Sequence, residues 1–251
     1  MFDPPLVAAC CAAIIAAVSI PVSVKCRLGV DERDSYEELV EFVETVSSVG
    51  VRHFIIHARK AILGLDTVKN RSVPPLRHDW VFRLRERFPQ HRFTINGGIA
   101  TLEAARELLA AGMDGVMIGR RANAEPYMFA GVSSLVDGRG EAPSRREVLH
   151  RYLEYALLAQ RANWDGKMPE QVARLLLTPL TGLFHGTRVG ARWRQVLSET
   201  MHDRQRLSTQ SLPELVSSCL DGAQVSAAVL DLLPGAPSAL PPSALYPSRP
   251  A

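Results

Sequence analysis

Four short apolar stretches of this sequence each end in residues suited to holding an anion. Lys25 closes "VSVK", His57 closes "HFIIH", Asn96-Gly97-Gly98 ends "FTINGG", and Gly119-Arg120 ends "GVMIGR". A lysine inside an otherwise apolar strand is costly unless it meets an anionic partner. Glycines let backbone N–H groups approach a phosphate, and a neighbouring arginine supplies a charged clamp. Tight turns also use glycine for steric reasons alone, so either cluster by itself is a weak sign. Two clusters at matched strand ends strengthen the reading, and the chemistry they point to is phosphate binding.

The elements that must position these residues alternate. β-Branched, apolar runs of strand length lie at Val22–Lys25, His53–His57, Phe93–Asn96 and Gly115–Gly119. Helical periodicity fills 4–18, Ser35–Val49, Asp79–Phe88 and Thr101–Ala111. The second of these helices opens with a Ser35/Glu38 capping box, the last with Thr101 as N-cap before Glu103. Such alternation predicts an α/β fold with buried parallel strands. Four strands could form a doubly wound sheet, yet that fold normally opens with its ligand-binding strand and turn. Polar residues at the ends of successive strands instead mark a (β/α)8 barrel, whose sites collect at the C-terminal mouth. The last two strands would then be the seventh and eighth, where barrels place a phosphate. The helix opening at Thr101, or a short one after Arg120, would add a positive dipole end.

Beyond Ser144 the strand signal stops. Helices are expected at Arg145–Asn163, Glu170–Leu177, Ala191–Met201 and Pro213–Leu232, followed by a Pro/Ala/Ser-rich tail with no reason to pack. The expected domains are therefore 1–144, 145–232 and an unpacked 233–251. Residues 145–206 carry 11 Lys and Arg against 6 Asp and Glu, whereas residues 1–144 carry 17 of each. A basic segment beside a neutral one suggests a polyanionic partner, with a solvated helix face as the alternative. The composition, 47% hydrophobic and 22% charged over 251 residues, is that of a globular domain. No apolar run has the length of a membrane span, and Leu6–Ile20 follows an acidic residue without the basic start of a signal peptide. Cys10, Cys11, Cys26 and Cys219 show neither metal-ligand spacing nor a secreted framework, so no metal and a reducing compartment are expected. The cytoplasm is the expected location, an organelle the alternative.

In order along the chain, "PVSVKCRLGVD", "HFIIHARKAILGL", "NRSVPPLRHDW", "FTINGGI" and "GVMIGRRANAEPYMF" resemble the FMN-dependent tRNA-dihydrouridine synthases. The stretch from His57 to Arg77, and "GLFHGTRVGARWRQVLSE" in the basic segment, are similar to the A-type branch. The resemblance covers about residues 4–205. It implies a TIM barrel that binds FMN, a helical domain that helps hold tRNA, and NAD(P)H as reductant. By position, Lys25 resembles the lysine that reaches the isoalloxazine ring and His57 the histidine beside the flavin. Asn96, Gly97, Gly98, Gly119 and Arg120 match the segments around the phosphate. Arg59 and Lys60 are candidates for substrate phosphate or plain solvated charges. Arg188 and Arg192 are the candidates for tRNA phosphate contact, on neighbouring turns if their helix starts early enough, and Trp193 is expected to anchor that helix to the barrel rather than stack on a base.

The departure from the family pattern is as informative. A complete member has four βα units before the position of Lys25, including the loop with the catalytic acid cysteine. None of this chain's four cysteines sits in a matching motif, and strand alternation turns Cys26 away from whatever Lys25 faces. The expectation is the C-terminal half of a (β/α)8 barrel followed by a small all-α domain, a fragment inactive as it stands. Two other functions compete: another FMN- or phosphate-binding barrel oxidoreductase, which would not need the basic helices, and a catalytically dead RNA-binding protein, which would not need flavin.

Overall fold

A computed structural model of the chain describes residues 1–133, 138, 140–161, 164 and 166–234. The chain divides into two compact units, Met1–Gly119 and a second from Arg120 onward.

The first unit runs α1 (Pro4–Ala17), β1 (Ser23–Arg27), α2 (Tyr36–Ser47), β2 (His53–His57), α3 (His78–Arg87), β3 (Arg92–Asn96), α4 (Leu102–Ala110) and β4 (Gly115–Met117). Its strands form one parallel sheet in the order β1-β2-β3-β4. The helix starts are set locally. Ser35 Oγ accepts the Glu38 N–H while a Glu38 carboxylate oxygen accepts the Ser35 N–H, both at 3.2 Å, and Thr101 Oγ1 accepts the Ala104 N–H at 3.1 Å. Strand alternation sends Val24, Cys26, Phe54, Ile56, Phe93 and Ile95 to one face, against Leu39, Val43 and Val46 of α2 and Val81 and Leu84 of α3. Asp114 closes the start of β3, accepting the Phe93 N–H at 2.8 Å and pairing with Arg85 at 2.8 Å.

Two strand ends differ from expectation. β1 continues past Lys25 because Cys26 and Arg27 pair with Ile56 and His57, and the contact carries into the loops through Leu28 N–H to Arg59 C=O. β4 stops at Met117, whose carbonyl is taken by the Asn96 side-chain amide, so Gly119 lies beyond the strand.

The described elements of the second unit are helical: α5 (Arg120–Ala124), a 3-10 turn (Pro126–Gly131), α6 (Arg145–Gln160), α7 (Pro169–Leu177), a 3-10 turn (Thr178–Gly182), α8 (Gly190–His202), α9 (Arg204–Thr209), α10 (Leu212–Gly222) and α11 (Ala227–Leu230). They enclose their own core, with Leu149, Leu177, Phe184, Trp193, Leu197 and Leu215 buried. Tyr127 belongs to it and donates its hydroxyl to the carbonyls of Pro143 and Leu232, so this unit gathers residues well before position 145. The single helix expected over Pro213–Leu232 is two helices, broken at Gln224, which has φ +55°. Trp193 anchors α8 within the helical unit rather than to the sheet: it meets Phe184 edge-on at 4.8 Å and donates to Leu180 C=O at 2.8 Å. Because α8 begins at Gly190, Arg188 precedes it, and the spacing that would have put Arg188 and Arg192 on neighbouring turns does not apply. Asn163, and the expected tail beyond Pro234, lie outside the described residues. Among the described residues no helix is long and apolar enough to cross a membrane.

Candidate functional site

Register and alternation together define the sheet's other face. Lys25, Ile55, Thr94 and Gly115 share one row, and Arg27, His57, Asn96 and Met117 the next, nearer the strand C-termini. Ser23 and His53 lie one step earlier. None of these positions carries a carboxylate, so the face that turns away from the helices combines cationic and polar side chains with the apolar Ile55 and Met117 and has no negative charge. Lys25 is exposed on it, so the burial cost expected of a lysine in an apolar strand does not arise. His53 Nε2 and Thr94 Oγ1 lie 2.8 Å apart. Gly115 is needed beside them, because a Cβ there would come within 2.6 Å of Thr94 Oγ1.

The turn after β3 is built on two left-handed glycines, Gly97 at φ +112° and Gly98 at φ +74°. A Cβ at Gly97 would lie 2.7 Å from the His57 ring, and one at Gly98 2.5 Å from Leu76 Cδ1. Conformation and close approach thus both require glycine here. The Gly97 carbonyl accepts from His78 Nε2 at 2.8 Å. Gly98 is exposed, and its N–H has no acceptor among the described residues. Gly119 is the opposite case: its φ lies outside the left-handed range and a Cβ would meet nothing within 4 Å. Neither strain nor packing explains a glycine there, while an external group needing room at the backbone would. An exposed amide and an open glycine fit a phosphate. Arg120, bonded directly to Gly119, is exposed and opens α5 of the second unit.

The loop between β2 and α3 uses the basic residues that follow His57. Arg27, which sequence reasoning passed over, donates to the carbonyls of Lys60 at 2.8 Å and Asn70 at 2.9 Å, and burial, with Arg59 and Arg71 nearby, holds its pKa below the usual guanidinium range. Lys60 pairs with Asp34 at 2.8 Å and donates to Asp31 C=O at 3.0 Å; the bond to Asp34 raises its pKa. Arg59 donates to the carbonyls of Ser72 and Pro74. Asn70 closes the loop on itself, accepting the Ile62 N–H at 2.8 Å and donating to the carbonyls of Ile62 and Leu65. Arg59 and Lys60 therefore serve loop architecture, whatever else they touch. The sequence cue for this was the cluster Asp31, Asp34 and Asn70, which became legible only once the two loops were side by side.

Cys26 faces the helices, and burial pushes its thiol up to about 12. Cys10 is exposed, Cys11 and Cys219 are buried. Among the described residues no three His, Cys, Asp or Glu side chains gather as a metal site would require. In the second unit Arg188 and Arg192 are both exposed, Arg192 donating to Gly222 C=O at 3.2 Å.

A family model described as dihydrouridine synthase (Dus) matches residues 1–218. The chain belongs to the dihydrouridine synthase family. Three curated members, each named tRNA-dihydrouridine(20/20a) synthase, illustrate the likeness. The Pseudomonas aeruginosa protein is 44% identical over 218 residues, covering 84% of this chain and 63% of that protein. The Synechocystis protein is 41% identical over 222 residues, 88% of this chain and 63% of its own length. The Shewanella oneidensis protein is 42% identical over 204 residues, 80% and 58% respectively. The chain thus spans about three fifths of the length of the dihydrouridine synthases it matches. The family likeness read from the motifs between Pro21 and Phe129 is borne out.

Proposed function

We propose that this chain is the flavin-binding and tRNA-holding part of a tRNA-dihydrouridine synthase, its sheet forming the C-terminal half of a (β/α)8 barrel. The observation that carries this reading is the carboxylate-free face bearing Lys25, Arg27, His57 and Asn96, set beside a turn with an exposed amide and near an unexplained glycine. When bound and reduced by NAD(P)H, FMN supplies the hydride that converts uridine to dihydrouridine. The chain's own residues bind and orient. Lys25 and His57 take the ring side, the Gly98 N–H and the open backbone at Gly119 take the phosphate, and Arg120 adds positive charge. Asn96 holds Met117 C=O at 2.8 Å and so keeps the ends of β3 and β4 in register beneath the glycine turn.

The helical unit takes the tRNA. Its support is the basic balance of residues 145–206 and the exposure of Arg188 and Arg192. Proton delivery is a separate matter: Cys26 packs on the helix side of the sheet, away from the face that carries Lys25, so it is not placed to act as the acid. The test is fluorescence titration with FMN and with riboflavin, alongside a gel-shift assay with unmodified tRNA. FMN binding in preference to riboflavin, together with a tRNA shift, supports the reading. A tRNA shift with no flavin binding points to an RNA-binding protein, and flavin binding with no shift to another barrel oxidoreductase.

A further inference from the structure

We infer that His78 is a positioning residue that aims the Gly98 amide at the anion site. The inference rests on the phosphate reading of the Gly97–Gly98 turn, and goes beyond it by assigning the group that sets the turn's direction. His78 is the first residue of α3, and Nε2 of its ring lies 2.8 Å from Gly97 C=O, 19 positions along the chain. A carbonyl only accepts, so Nε2 carries the hydrogen and donates. Among the described residues no peptide bond is cis, so the Gly97–Gly98 bond is trans and planar, with the Gly98 N–H antiparallel to the Gly97 C=O. Holding the carbonyl toward α3 therefore turns the amide away from α3.

Two glycines in succession leave this peptide unit free to flip, because neither φ is restrained by a Cβ. Something outside the turn must select one orientation, and His78 does so. The histidine is itself well seated: the Arg77 N–H donates to Ala58 C=O at 2.9 Å, and the Ala58 N–H donates to Asn96 C=O at 2.8 Å. These two bonds tie the residue before His78 to the ends of β2 and β3. The His57 ring and Leu76 crowd Gly97 and Gly98 from the side, whereas the polar contact to the Gly97 carbonyl comes from His78. His78 is thus the donor that fixes the peptide, and Gly98 is the donor left for the ligand.

The experiment uses the full chain, 15N-labelled, as wild type, His78→Ala and His78→Gln. Affinities for FMN and riboflavin are measured by fluorescence, and the Gly98 amide resonance is followed on addition of inorganic phosphate. A glutamine amide can still donate to Gly97 C=O, whereas alanine cannot. Expected is a fall of about tenfold in FMN affinity for H78A, with riboflavin affinity unchanged and the phosphate-induced Gly98 shift lost, and retention of all three in H78Q. A purely structural role would lower FMN and riboflavin binding together, and that result overturns the inference. So does H78A keeping its FMN preference and its Gly98 shift. A wild-type chain that binds neither flavin and shows no Gly98 shift with phosphate removes the phosphate reading itself, and the inference with it.

Discussion

Gly119 and Gly97 are both glycines at the proposed phosphate site, but the structure gives them opposite reasons for being glycine, and alanine substitution separates the two. At Gly97 the φ of +112° is unfavourable for any L side chain, and a Cβ would lie 2.7 Å from His57 Cδ2 and 3.1 Å from Leu76 Cδ2. Left-handed strain of about 1–2 kcal/mol adds to an overpacking cost of about 1–3 kcal/mol, so Gly97→Ala should destabilise the first unit by roughly 2–5 kcal/mol. At Gly119 no such φ exists and nothing lies within 4 Å of the added methyl. Gly119→Ala should leave stability unchanged or raise it by up to about 1 kcal/mol, through reduced freedom of the unfolded chain. Its cost should appear only with the ligand, as a loss of about tenfold or more in FMN affinity, because the methyl occupies space the phosphate needs. Urea unfolding and flavin titration on both variants make the comparison. If Gly119→Ala binds FMN as tightly as wild type, or is destabilised as much as Gly97→Ala, the reasoning is refuted.

Three further outcomes are expected. Ser35→Ala removes the acceptor for the Glu38 N–H and should cost about 1 kcal/mol in thermal or urea unfolding, with FMN affinity unchanged. Replacing Arg188 and Arg192 together with Ala should weaken tRNA binding and flatten its salt dependence by roughly one unit per lost phosphate contact, without moving flavin affinity; an unaltered slope and affinity would assign both arginines to the solvated face. In native protein, iodoacetamide near pH 8 should label Cys10 first and spare Cys26, since burial holds the Cys26 thiol up near 12 and leaves little thiolate; equal labelling of the two by mass spectrometry would contradict that environment.

What could be read from sequence was what local chemistry decides. Ser35 with Glu38, and Thr101 ahead of Ala104, satisfy the first amides of their helices from within one turn, so those starts were visible without a fold. The period-two pattern of "HFIIH" placed β2 to the residue. Alternation also turned Cys26 away from Lys25 correctly. The features that escaped are long-range. Arg27 acquires its role from carbonyls 33 and 43 positions away, and Lys60 from an aspartate on a different loop. The second unit's start near Arg120 depends on Tyr127 reaching a carbonyl 105 positions later. The break at Gln224 follows Gly222, the last residue of α10, a local signal that the expected single helix passed over. His78 lies within "NRSVPPLRHDW", yet its role depends on α3 bringing it to Gly97, 19 positions away.

The central claim is that the carboxylate-free face of the parallel sheet holds FMN by its phosphate at the Gly97–Gly98 turn and Gly119. It is tested most directly by joining the chain to four further βα units from a curated relative and recording the visible absorption spectrum of the purified, folded product. The account predicts a yellow protein that releases FMN on denaturation and loses most of it in the Gly119→Ala variant. A colourless, correctly folded product that cannot be reconstituted with FMN would contradict it.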